Sequence, residues 1–145
     1  MLQKHFYAYG HRYYFGSYLE KAGVIQINKC DTFLPQHYTH KIIFETNQDR
    51  DIYLSSPHPI EENSKQWAFI IKDCITFLCD IEKKQICYIE AQNYSTQLME
   101  YWLIHIVLPL FWTLEGSYYF LHTGSVVVDG KAVLLWVTVM LESLQ

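Results

Sequence analysis

Residues 1–92 alternate short apolar runs with polar turns, a pattern that suits antiparallel β structure. The runs Phe6 to Tyr9, Gly23 to Ile27, Lys41 to Phe44, Asp51 to Leu54, Trp67 to Ile71, Cys74 to Cys79 and Ile86 to Ile89 predict strands. Lys72-Asp73 and Glu82-Lys83-Lys84 supply the turns between the last three, so a meander is expected. Asp31 to His40 and Ser55 to Ser64 are the clearest loops. Pro35, Pro57 and Pro59 each remove a backbone donor there and bias the preceding residue away from helix.

The pattern changes at Asn93. Leu98, Trp102, His105 and Ile106 recur at three- and four-residue spacing, which predicts one long helix with a broad apolar face over residues 93–116. Ser95 is placed to cap its start, Pro109 to kink or interrupt it, and Gly116 to stop it. Two β-branched runs then flank Asp129-Gly130, a dipeptide that tolerates the positive φ of a tight hairpin turn. The expected fold is α+β: a β-rich N-terminal meander (1–92), one long helix (93–116), then a β-hairpin within 117–145.

The stretch from Val107-Leu108-Pro109-Leu110 through Gly116 to Leu121-His122-Thr123-Gly124-Ser125-Val126 and Asp129-Gly130-Lys131-Ala132-Val133-Leu134-Leu135 resembles HPr serine kinase-type proteins. In that family such a strand, turn and apolar strand lead into a Walker A loop, whose backbone N–H groups and lysine cradle the phosphates of ATP. The resemblance therefore implies that the hairpin begins a P-loop kinase core. It also implies ATP and Mg²⁺ as cofactors of an intact family member and a protein or peptide as substrate. Tyr9-Gly10-His11-Arg12-Tyr13-Tyr14-Phe15-Gly16-Ser17 resembles the opening of family members found beside peptide-maturation genes.

No phosphate loop follows Leu135 in the translated chain, so no cofactor-binding residue is expected in this polypeptide. The genetic code suggests why. Trp136 is encoded only by TGG and Val137 begins with GT, so a frame moved forward by two bases starts with GGT, glycine. The end of the Met140 codon with a CTN leucine at 141 gives GCT, alanine, and Leu141 to Leu144 permit GGA, AAG and TCT. The shifted peptide can read Gly-x-x-x-Ala-Gly-Lys-Ser, the Walker A pattern. The expectation is a frameshifted, prematurely ended fragment of a kinase-like protein, inactive alone; the simpler alternative is a terminal strand from Leu134 to Leu141 with a polar end.

Half of the residues are apolar and 17% aromatic, which argues for an ordered fold with one core. A formal charge of -4 with 11 Lys and Arg leaves no basic stripe for a phosphate backbone, so nucleic acid is disfavoured as a partner. No signal peptide is recognised, and the apolar run Tyr101 to Leu114 falls short of the roughly twenty residues that span a bilayer. No membrane span and a cytoplasmic location are therefore expected. Cys30, Cys74, Cys79 and Cys87 form no Cys-x-x-Cys pair and read as reduced, mostly buried thiols rather than a metal site.

His122 is the best single catalytic candidate. The family's histidine at this strand lies near the phosphate site, where an imidazole titrating near neutrality can move a proton or orient a phosphate oxygen. Its ordinary alternative is a histidine at a strand end bonded to backbone. Lys131 lacks the preceding glycines of a phosphate loop and reads as a turn lysine, as Asp129-Gly130 reads as turn chemistry. His37, His40 and His58 with Asp31, Asp49 and Asp51 show no ligand spacing, so no metal ligand is assigned. Glu61-Glu62 and Asp49-Arg50-Asp51 read as solvated turn charges, and Ser95, Ser117 and Ser125 lack a nucleophile-elbow context.

A competing function is a non-enzymatic peptide- or protein-binding module. Phe6-Tyr7-Ala8-Tyr9 and Tyr13-Tyr14-Phe15 would line an edge strand that accepts a peptide by β-augmentation, or else provide ordinary β packing. A third expectation is an unstable fragment, with the final strands exposing an edge that a parallel sheet would cover.

Overall fold

The apolar runs of the N-terminal region become strands whose burial alternates with the pleat, as at Ile75–Asp80, where Ile75, Phe77 and Cys79 are buried and the residues between them are not. A computed structural model describes residues 2–16, 23–32, 35–47, 50–58, 65–117 and 124–135. Its strands are β1 (His5–Ala8), β2 (His11–Phe15), β3 (Val24–Lys29), β4 (His40–Asn47), β5 (Arg50–Ser56), β6 (Gln66–Ile71), β7 (Ile75–Asp80) and β8 (Gln85–Glu90). They form one eight-stranded sheet in the order β1-β2-β3-β8-β7-β6-β5-β4.

The expected meander holds from β4 to β8, where each consecutive pair is antiparallel. It does not extend to the start of the chain. β2 and β3 are parallel, and β3 lies parallel to β8, so the N-terminal hairpin joins the meander through a non-local pairing. The register brings Ile27 beside Ile86, both 1% exposed or less, and so extends one apolar face across the junction. β2 was not among the predicted strands: His11 to Phe15 carries a polar pair followed by an unbroken aromatic run instead of alternation.

Two turns contain the predicted residues. Asp73 has φ 59° between β6 and β7, and the Cys74 N–H donates to Ile71 O at 3.0 Å. Between β7 and β8, the Lys83 N–H donates to Asp80 Oδ1 at 2.9 Å, an Asx turn.

The long helix is α1 (Thr96–Trp102), a π turn (Leu103–Val107) and α2 (Leu108–Glu115). Ser95 caps it as expected: its backbone is extended and its Oγ accepts from the Leu98 N–H at 3.1 Å. Gly116 ends it in the left-handed region at φ 99°, a conformation glycine enters without a Cβ clash.

Pro109 interrupts the hydrogen-bond pattern rather than the helix. Within an α-helix its ring presses on the carbonyl four residues back and its nitrogen donates nothing. The chain widens by one residue just before it, and the Leu108 N–H donates to Leu103 O, five residues back. The Ile104 carbonyl thereby loses Leu108 as a donor, and the next residue is a proline. Tyr9 fills the gap: its hydroxyl donates to Ile104 O at 2.6 Å.

The helix packs on one face of the sheet. Leu103, Val107, Leu108 and Phe111 are 0% exposed and join Tyr13, Ile25, Phe69, Phe77 and Ile86 in one core. Trp102 lies 6.0 Å from Phe69 across that interface. The remaining strands, β9 (Gly124–Val128) and β10 (Lys131–Leu135), form a separate two-stranded antiparallel sheet around Asp129-Gly130, both at positive φ. Val126, Val127, Val128 and Val133 are exposed there, Val127 at 77%. The architecture is α+β.

Candidate functional site

The N-terminal hairpin carries a close group of ring and charged side chains. Its turn is Tyr9-Gly10, at φ 53° and 77°, a geometry that fits the right-handed twist of the flanking strands. Register then fixes which side chains share a face: His5 pairs with Tyr14, Phe6 with Tyr13, Tyr7 with Arg12 and Ala8 with His11.

One face turns toward the helix. The His11 ring stacks on Trp112 with centroids 3.6 Å apart and planes 14° apart. The Trp112 indole N–H donates to the Tyr13 hydroxyl at 2.8 Å, and Lys84 lies 5.1 Å from the Trp112 ring centroid. Partial burial lowers the His11 pKa, the Lys84 ammonium lowers it further, and Glu115 opposes both. Glu115 is itself held below the ordinary carboxylate range, chiefly by its hydrogen bond with Ser117. This cluster clamps the C-terminal turn of α2, which feeds the segment containing His122. Sequence reading passed over it because His11 and Trp112 lie far apart in the chain and neither belongs to a spaced motif.

The opposite face of the hairpin is cationic and aromatic. Arg12 lies over the Tyr7 ring at 5.4 Å and Lys4 over the Tyr14 ring at 5.2 Å, while His5 contacts Tyr14 at 4.5 Å. Tyr7 is 69% exposed. β1 is the outermost strand on this side of the sheet among the described residues.

The sequence-predicted residues are dispersed. His122, Asp49, Glu61-Glu62 and the tail from Trp136 to Gln145 lie outside the described residues. Lys131 is exposed at the start of β10, directly after the Asp129-Gly130 turn. His37 and His58 are exposed in separate segments, and Asp31 is exposed after β3. Asp51 pairs with Lys72 at 3.8 Å. No group of three or more His, Cys, Asp or Glu positioned to hold a metal occurs among the described residues.

Cys74 and Cys79 are buried, whereas Cys30 and Cys87 are partly exposed. Burial pushes the Cys87 thiol up to about 12, with a hydrogen bond to the Cys30 thiol adding to the effect. Burial likewise raises Cys79. Cys79 and Cys87 are poor nucleophiles near neutral pH, because the thiolate is the reactive form. Among the described residues, no helix is long and apolar enough to cross a membrane.

Comparison with known proteins found no matching family model, no matching curated protein and no matching solved structure.

Proposed function

We propose that this chain is the N-terminal part of an HPr serine kinase-like, ATP-dependent protein or peptide kinase, ending in frame at the strand that would feed the phosphate loop. The observation that carries the reading is the β9–β10 hairpin. It follows the helix in the expected order, forms a two-stranded sheet of its own and exposes Val126, Val127, Val128 and Val133. Such valines suit strands that are buried on both faces once a parallel sheet forms around them.

On this reading the Gly-x-x-x-x-Gly-Lys-Ser/Thr loop of the family is missing from the 145 residues, and the polypeptide alone is expected to transfer no phosphate. Phosphoryl transfer relies on a loop lysine and Mg²⁺ to position the phosphates and neutralise their charge. His122 is the residue proposed to act beside the phosphates in the intact enzyme, by moving a proton or orienting an oxygen. ATP and Mg²⁺ belong to that intact form.

The test is a calorimetric titration of MgATP into two polypeptides. One is the 145-residue chain; the other is translated with the frame restored after Leu135 and continued through the following open frame. The proposal expects binding only to the second. Tight, Mg²⁺-dependent binding to the first, or none to either, overturns it.

The peptide-binding reading also has a specific observation in its favour: Tyr7 stands 69% exposed on a sheet edge, beside Arg12. That role is compatible with a kinase acting on a peptide. It makes the N-terminal hairpin the part of the molecule that meets the acceptor.

A further inference from the structure

Resting on that reading of the N-terminal hairpin as the acceptor-facing part, we infer that the outer edge of β1 binds an extended acidic peptide as an added strand. Main-chain hydrogen bonds at Tyr7 fix the register, and Arg12 and Lys4 attract its carboxylates.

The backbone argument comes from the hairpin's alternation. In an antiparallel pair, residues that exchange hydrogen bonds with the partner alternate with residues whose N–H and C=O point the other way. The two-residue turn makes Ala8 and His11 a bonded pair, so Phe6 bonds to Tyr13, and the Phe15 N–H donates to Lys4 O at 2.9 Å. Residues 4, 6 and 8 therefore face β2, and the N–H and C=O of Tyr7 face outward, along the edge of the sheet. An incoming strand gains two main-chain hydrogen bonds there without disturbing any bond already present.

The charge argument selects the peptide. Residues 1–19 contain no aspartate or glutamate, against a chain total of 15, and include Lys4, Arg12, His5 and His11. Among the described residues neither Lys4 nor Arg12 has an acidic partner; each lies over a tyrosine ring. Across the same face the strip continues through Gln26 and Asn28 of β3, which are uncharged. A carboxylate arriving at this edge meets Lys4 and Arg12, each held over a tyrosine ring, while the Glu100 carboxylate lies beyond the start of β1, accepting from the Leu2 N–H at 2.7 Å.

The same pattern disfavours a second copy of the chain. Two antiparallel β1 edges in contact would gather Lys4, just before β1, and Arg12 of β2 from both copies on one face of the joined sheet, a concentration of like charge that disfavours the pairing. Two fixed cations are also few for a nucleic-acid backbone, whose affinity grows with the number of phosphates neutralised.

The experiment uses the whole 145-residue chain and two capped eight-residue peptides, one alternating Val with Glu and one alternating Val with Lys. Binding is followed by amide shifts of labelled protein at low and high salt. The glutamate peptide is expected to bind, to shift the Tyr7 amide and to weaken as salt rises. The lysine peptide is expected not to bind.

Tyr7→Pro removes the outward N–H together with the ring beneath Arg12, Tyr7→Ala removes the ring alone and so isolates the N–H, and Arg12→Glu reverses the charge. Tyr7→Pro relative to Tyr7→Ala, and Arg12→Glu relative to the native chain, are each expected to weaken binding by about tenfold, on the order of one hydrogen bond or one close ion pair. Circular dichroism of all the variants checks that the sheet is retained, and Lys4→Glu serves as a second charge reversal if any of them unfolds. Equal binding of both peptides, no binding at millimolar concentration, or binding by Tyr7→Pro no weaker than by Tyr7→Ala overturns the inference. So does self-association of the free chain that Tyr7→Pro abolishes, which would put a second copy on the edge. The MgATP titration reports separately on the kinase reading, so either proposal can fail while the other stands.

Discussion

The eight-stranded sheet and the β9–β10 hairpin are built from similar residues but handle their apolar surface in opposite ways. In the sheet, Phe69, Phe77 and Ile86 are fully buried under one helix, whose Phe111 is buried against them. In the hairpin, Val126 to Val128 and Val133 face solvent. A β-branched pair of strands with exposed valines gains little from burial, and an isolated hairpin is marginal in water. The contrast is one of burial: the first region rests on a shared core, whereas among the described residues the second leaves its valines exposed.

The comparison breaks most visibly if core and hairpin substitutions cost the same. Phe111→Ala removes a ring at the centre of the helix–sheet interface and is expected to destabilise the chain by about 3–5 kcal/mol in urea unfolding. A loss below about 1 kcal/mol would mean the helix is not docked as described.

A finer test concerns the π turn. Tyr9→Phe leaves the Ile104 carbonyl without its hydroxyl donor and is expected to cost about 1–3 kcal/mol. With Pro109→Ala, a regular helix becomes available and Leu108 can donate to Ile104 again. The Tyr9→Phe cost should then shrink, a coupling read from a double-mutant cycle. Additive costs would separate the π turn from the proline.

Ser95→Ala is expected to cost about 1 kcal/mol through the lost cap on Leu98. At the hairpin, Val127→Ser should change stability by no more than about 0.5 kcal/mol while improving solubility. A large loss there would show that the valines are already packed.

pH sharpens the same contrast at the clamp on α2. His11 has its pKa lowered, mainly by burial and then by Lys84, so the folded protein binds this proton less well than the unfolded chain. The contribution of His11 is full above its unfolded value, near 6.5, and is lost as pH falls toward the lowered folded value. Acid should therefore loosen the His11–Trp112 stack, seen as a change in Trp112 fluorescence that His11→Phe removes. A stack that tightens with acid would reverse the assigned direction.

Local signals carried much of this fold. Polar turns at Lys72-Asp73 and Glu82-Lys83-Lys84 divide three apolar runs, and β6 to β8 follow directly. Ser95 and Gly116 bracket the helix because capping depends on one or two residues. What was illegible is non-local or set by a detail of hydrogen bonding. The parallel pairing of β3 with β8 joins residues far apart in sequence and has no turn to announce it. β2 hid in an aromatic run without alternation, and with it went the geometry of the exposed edge. Pro109 signalled an interruption, but the π turn depends on which carbonyl finds another donor, and that donor is Tyr9.

The candidate site divides in the same way. The first strand of the tyrosine-rich opening was legible, because Phe6-Tyr7-Ala8-Tyr9 is a local aromatic run, and it lies at the edge of the sheet among the described residues. The His11, Trp112 and Lys84 cluster was not, since three distant segments build it.

The central claim, that the hairpin is the start of a kinase core whose phosphate loop is read out of frame, is tested most directly by the base sequence of codons 136–144. The account predicts that the frame shifted by two bases encodes Gly-x-x-x-Ala-Gly-Lys-Ser and stays open beyond it. A base order that cannot encode the glycine, lysine and serine in that frame would contradict it.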